Sequence, residues 1–121
     1  MYSLCANELS HKGELVPPTT MHCVYRPKPG QEEALLALVK RHWPALRKAG
    51  LVTETPALVW KATDRHGKNP FYVEIFSWKD EGSSGLAHQL PEVMAIWEPM
   101  GPMLVGGPSP ELAVVEPVAL D

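Results

Sequence analysis

Two titratable residues stand where the surrounding pattern is otherwise apolar. His42 shares one helical face with Leu35, Leu38, Val39, Leu46 and Ala49 when residues advance by about 100° each. Glu74 interrupts Phe71-Tyr72-Val73-Glu74-Ile75-Phe76-Ser77-Trp78, the most apolar strand pattern in the chain. A histidine tuned near neutral pH can take a proton from an acidic carbon or a phenol. A carboxylate buried without a partner costs several kcal/mol, so Glu74 needs one, and His22, His42, His88, Arg26 and Lys61 are the candidates. Both residues also have a purely structural reading: a core histidine with one satisfied hydrogen bond, and a glutamate held in a Glu–His or Glu–Arg pair.

Further residues are placed to complete a site. His88 follows the capping serines Ser83 and Ser84 on a second helix, and Pro91 opens a new helical turn. A break at Leu90-Pro91 would turn His88 inward. A straight helix would carry it away from the apolar face of Val93, Ile96, Trp97, Met100 and Leu104. His42, Glu74 and His88 are therefore the candidate catalytic residues. His22, Trp43, Tyr72, Trp78, Trp97 and Met100 are the candidate ligand-binding residues, suited to a flat apolar molecule. His22, Glu74 and His88 come from three elements with no local ligand spacing, so no metal site is expected. No P-loop, dinucleotide fingerprint, nucleophile elbow or catalytic triad is present.

The elements that must position these groups follow from turn and cap signals. Met21–Arg26 reads as a strand stopped by Pro27 and Pro29. Gly30 opens a helix through Ala49, with Glu32 and Glu33 in its first turn, Arg47 and Lys48 in its last and Gly50 as the stop. Pro44 should kink that helix just after His42-Trp43. Pro56–Thr63 and Phe71–Trp78 read as strands joined by a loop at 64–69, and Glu111–Glu116 as a closing strand before Pro117. The order is βαββαβ, an α+β ferredoxin-like fold with an antiparallel sheet and two helices on one face. Because Phe71–Trp78 is apolar on both sides, the uncovered face predicts a second copy, giving a homodimer. Alternation places Tyr72, Glu74, Phe76 and Trp78 on one side and Phe71, Val73 and Ile75 on the other. Whether the Glu74 side faces the helices or the partner subunit stays open from sequence.

At 121 residues the chain is the size of one domain, expected over 21–121 with residues 1–20 as an N-terminal arm or linker. A net charge of -3 gives no electrostatic case for nucleic acid; Lys40, Arg41, Arg47 and Lys48 read as a solvated helix face. No apolar run approaches the ~18 residues of a membrane span. The start of the chain has neither a basic n-region nor an apolar h-region. Cys5 and Cys23 form at most one bridge and no metal motif, so a cytoplasmic protein is expected.

From about Met21 to Leu104 the chain resembles the antibiotic biosynthesis monooxygenase-like family of the dimeric α/β-barrel superfamily. The resemblance is carried by Phe71 to Asp80, in which Glu74 is followed by Trp78 and a short acidic turn, then by Ala87-His88 and Pro91. It implies a dimeric α/β barrel and a superfamily that includes cofactor-free oxygenases, heme-degrading enzymes and isomerases. The heme-degrading members use a first-strand asparagine with a tryptophan and a histidine on the second helix. Here the first strand has no asparagine, and Ala87 and Trp97 stand at the other two places. The quinone-forming oxygenases also use that asparagine. The expectation is a small-molecule-binding domain without a cofactor, an oxygenase or isomerase acting on an aromatic or polyketide-like compound. The rival reading is a non-catalytic dimeric ligand-binding or stress-associated domain.

Overall fold

A computed structural model describes residues 18–120. Its elements are β1 (Thr19–Tyr25), α1 (Glu32–Lys48), β2 (Leu58–Ala62), β3 (Phe71–Trp78), α2 (Ser83–Ala87), α3 (Pro91–Met103) and β4 (Glu111–Val115). The strands form one four-stranded antiparallel sheet in the order β2-β3-β1-β4. This is the ferredoxin-like α+β arrangement, with β1 and β3 at the centre. β1 begins at Thr19, opposite Trp78, two residues before the expected domain start. The rest of the expected arm, residues 1–17, lies outside the described residues.

The elements form for local reasons. α1 carries acids in its first turn and bases in its last, matching the helix dipole. It stops where Gly50 adopts φ +76°, a left-handed conformation costly for other residues. Gly50 N–H then donates to Arg47 C=O and Leu51 N–H to Leu46 C=O, satisfying the final carbonyls. One helix runs from Glu32 to Lys48 with Pro44 inside it. At the β2–β3 turn Asp64 Oδ1 accepts from the backbone N–H groups of His66 and Lys68 while Gly67 takes φ +73°. The expected second helix is two pieces. α2 ends at Ala87, and α3 starts with Pro91 at its first position, where a missing N–H costs nothing.

The core lies between the sheet and the helices. Leu35, Val39, Leu46, Val93 and Ile96 from α1 and α3 meet Cys23, Tyr25, Tyr72, Phe76 and Trp78 from the sheet. Burial of each large aliphatic side chain here contributes about 1.5–3 kcal/mol. β3 alternates half-buried and buried residues, so its Tyr72–Glu74–Phe76–Trp78 side faces the helices. The opposite face carries Phe71, Val73 and Ile75 on β3, with Leu58 and Trp60 paired beside them on β2. Leu58 and Trp60 are 56% and 49% exposed, so among the described residues this apolar face is uncovered. Among the described residues no helix is long and apolar enough to cross a membrane.

Candidate functional site

The centre of the site is a chain of hydrogen bonds through Glu74. Strand alternation turns Glu74 toward the helices, and the β1–β3 register sets Cys23 directly opposite and Tyr25 on the diagonal. The phase of α1 lowers His42 onto the same spot. Glu74 is 0% exposed and His42 3%. The Tyr25 hydroxyl donates to Glu74 Oε1 at 2.7 Å. His42 Nδ1 lies 2.8 Å from the same oxygen, and Trp97 Nε1–H donates to His42 Nε2 at 2.8 Å. An indole N–H only donates, so Nε2 is the acceptor nitrogen and Nδ1 carries the ring proton. His42 is therefore the Nδ1–H tautomer, donating to Glu74. The 3.5 Å between Tyr25 Oη and His42 Nδ1 separates two donors aimed at one carboxylate oxygen. Glu74 Oε2 is buried and has no hydrogen-bond partner among the described residues.

His42 borders a half-open cavity of about 800 Å³. Its floor is the helix-facing side of the sheet: Met21, Cys23 and Tyr25 on β1, Phe76 and Trp78 on β3, Leu112 on β4. Its wall is His88, Met94, Trp97 and Met100, and the segment 106–110 closes one side. Such a volume suits a ligand of drug-like size, and the aromatic lining suits a flat one. The imidazole of His42 meets Phe76 edge-on at 5.4 Å, and Phe76 meets Trp78 edge-on at 5.0 Å. Lys28 and Glu98 bring charge to the same cavity and are both exposed.

Burial governs the other titratable groups. The Cys23 thiol is pushed from 9.0 up to about 12, first by burial and then by the Glu74 charge, partly offset by a hydrogen bond with Tyr25. The Tyr25 phenol is held well above 10.0, by burial first and the Glu74 charge next. Both keep their protons at neutral pH. Protonated, the Cys23 thiol is a poor nucleophile at neutral pH, and Tyr25 is a fixed donor.

The structure gathers His42, Glu74, His88, Trp78, Trp97 and Met100 in or against this cavity. Glu74 contacts it through His42 and Tyr25 rather than lining it. His88, exposed at the end of α2, packs edge-on against Trp97 at 4.8 Å and reaches neither His42 nor Glu74 through a hydrogen bond among the described residues. Three expected ligand-binding residues lie elsewhere. His22 alternates with Cys23 on β1, so its side chain is on the opposite sheet face. Trp43 is one helical step, about 100°, past His42, and its buried Nε1 has no hydrogen-bond partner among the described residues. Tyr72 faces the helices but at the other end of β3, where its hydroxyl donates to the Glu32 carbonyl. Sequence reasoning left out Cys23, Phe76 and the 106–110 segment as lining residues, and the bond of Tyr25 to Glu74.

Among the described residues no three His, Cys, Asp or Glu side chains cluster as a metal site. Ala87 and the Trp97 indole offer no iron ligand and both nitrogens of His42 are engaged, which leaves His88 as the one imidazole on the cavity wall that could meet a heme iron among the described residues.

No family model matches the chain, and no curated protein does. Solved structures match it well. Rv0793 of Mycobacterium tuberculosis is 14% identical, with a TM-score of 0.61 over 85% of this chain and 97% of its own. A variant of SnoaB, a cofactor-independent oxygenase from Streptomyces nogalater, is 13% identical, with a TM-score of 0.63 over 85% and 95%. A protein named as an antibiotic biosynthesis monooxygenase is 12% identical, with a TM-score of 0.62 over 84% and 99%. At these identities the likeness is one of fold. The fold is the one that the pattern from Phe71 to Pro91 resembles.

Proposed function

We propose that the cavity binds a flat, mostly apolar aromatic or polyketide-like molecule bearing an acidic O–H or C–H, and that His42 Nε2 accepts its proton. One observation carries this reading: the buried His42 Nδ1–H bond to Glu74 Oε1, 2.8 Å long, at the edge of an apolar cavity. That bond fixes the tautomer and leaves Nε2 as the basic nitrogen. Glu74 stabilises the imidazolium that forms, and the Tyr25 hydroxyl holds the carboxylate in place. The aromatic floor excludes water from the resulting anion. An enolate so formed either takes a proton back at another carbon, which is isomerisation, or adds dioxygen. Addition gives a hydroperoxide that loses water, so a methylene and O₂ become a carbonyl and H₂O with no external reductant. SnoaB, which shares the fold, is a cofactor-independent oxygenase, and this chemistry is of that class.

A second reading, binding without turnover, draws support from the Trp97 N–H that occupies Nε2. Under either reading the working unit is a cytoplasmic homodimer joined through the uncovered apolar sheet face around Trp60 and Ile75. The test is oxidation of 1,8-dihydroxyanthrone in air-saturated buffer, followed by the absorbance of its quinone. His42→Gln keeps a donor and an acceptor but transfers no proton. Its rate should fall about 10²-fold, the low end of general-base contributions. Equal rates for the native chain and the variant would leave the binding-only reading standing.

A further inference from the structure

We infer that Trp97 is a gate residue, whose indole N–H holds the place of a substrate O–H on His42 Nε2 and so selects for phenols and enols. The inference rests on the proposed role of His42 and names the ligand chemistry that role requires. His42 has one ring lone pair. Its Nδ1 side is committed to Glu74, so the pair is on Nε2, and Trp97 Nε1–H fills it at 2.8 Å. No ligand can reach the basic nitrogen while that bond persists.

The position of Trp97 suits displacement. It is half-buried on α3, whereas His42 is 3% exposed and anchored at its other nitrogen. Away from His42 the indole packs T-shaped with the ring of His88, at 4.8 Å and 71°, and His88 is exposed at the end of the five-residue α2. Trp97 and His88 both border the cavity, so an indole leaving Nε2 moves within space the cavity already provides. A ligand that displaces it must replace the hydrogen bond, because an acceptor nitrogen buried without a donor costs more than the bond itself contributes. A hydroxyl does this, and a methyl ether of the same shape does not. The aromatic floor of Phe76 and Trp78 adds the requirement for a flat ring.

The probes are 2-naphthol and 2-methoxynaphthalene, titrated by calorimetry into the full chain and into Trp97→Phe, which keeps a ring against His88 and removes the N–H. In the variant naphthol no longer has to break the indole–imidazole bond, so it should bind roughly fivefold tighter than to the native chain. The ether should change by less than about twofold, having no donor to offer. In the native chain, naphthol should shift the Trp97 indole N–H and His42 Nε2 signals in ¹⁵N NMR, and the ether should leave them in place. This second measurement needs no variant. Equal changes for naphthol and ether in Trp97→Phe would overturn the gate and make Trp97 a plain wall. Failure of naphthol to bind, or to move the indole signal, would overturn it as well. Because these readouts follow binding, a gate that holds while hydroxyanthrone oxidation fails would remove only the catalytic reading.

Discussion

Raising the pH from 8 to 10 should destabilise the native fold through Cys23, a reporter of how dry the Glu74 site is. The Cys23 thiol faces Glu74 across the β1–β3 pair and is 2% exposed. Its folded-state pKa is raised from 9.0 to about 12 by burial and then by the Glu74 charge. The sign follows from linkage. The unfolded chain gives up the proton near 9, while the folded chain keeps it. The thiol's contribution is therefore full below pH 9 and drains away as the pH climbs toward 12. One pH unit past the unfolded value corresponds to roughly 1–2 kcal/mol, and the full three units would approach about 4 kcal/mol. Tyr25, raised in the same direction, adds to the loss from about pH 10 upward. The assay is urea denaturation under reductant at pH 8, 9 and 10, for the native chain and for Cys23→Ala. The variant loses packing equally at every pH, so the difference between the two curves isolates the thiol. That difference should narrow by roughly 1–2 kcal/mol between pH 8 and 10. A difference constant to within about 0.5 kcal/mol would show that Cys23 is neither dry nor under the Glu74 charge.

Tyr25→Phe removes a buried donor to a carboxylate and should cost about 1.5–3 kcal/mol in urea denaturation at pH 7, with Glu74 left to His42 alone. A loss below about 0.5 kcal/mol would contradict the 2.7 Å bond. In sedimentation at micromolar concentration the chain should run as a dimer and Trp60→Glu as a folded monomer, since the charge falls on the uncovered face. A native chain that sediments as a monomer would refute the face-to-face assembly.

Much of the frame was legible because its signals are local. β3 is bounded where its apolar run begins and ends, and α1 lies between its acidic first turn and Gly50. His42 was legible from helical phase, and Glu74 from being the one charge in an apolar strand. Which way Glu74 pointed was not legible, since both faces of β3 are apolar; the packing of α1 and α3 decides it. β1 defeated the side assignment for the same reason. Every residue from Met21 to Tyr25 suits burial, and only the pairing of Cys23 with Glu74 turns Tyr25 inward and His22 outward. Trp97 was expected as an aromatic wall. Its bond to His42 depends on how α1 and α3 pack together, a contact between residues 55 apart that no local pattern encodes.

Anaerobic exchange of the methylene hydrogens of 1,8-dihydroxyanthrone with D₂O, followed by proton NMR, isolates proton abstraction from everything that comes after it. With dioxygen absent, neither oxygenation nor its products contribute, and isomerase and oxygenase chemistry share the measured step. The native chain should accelerate exchange over buffer, and His42→Gln should lower that acceleration by about 10²-fold while binding the anthrone with similar affinity. Exchange no faster than in buffer, or a His42→Gln chain that exchanges as fast as the native one, would contradict the assignment of His42 as the base of this site.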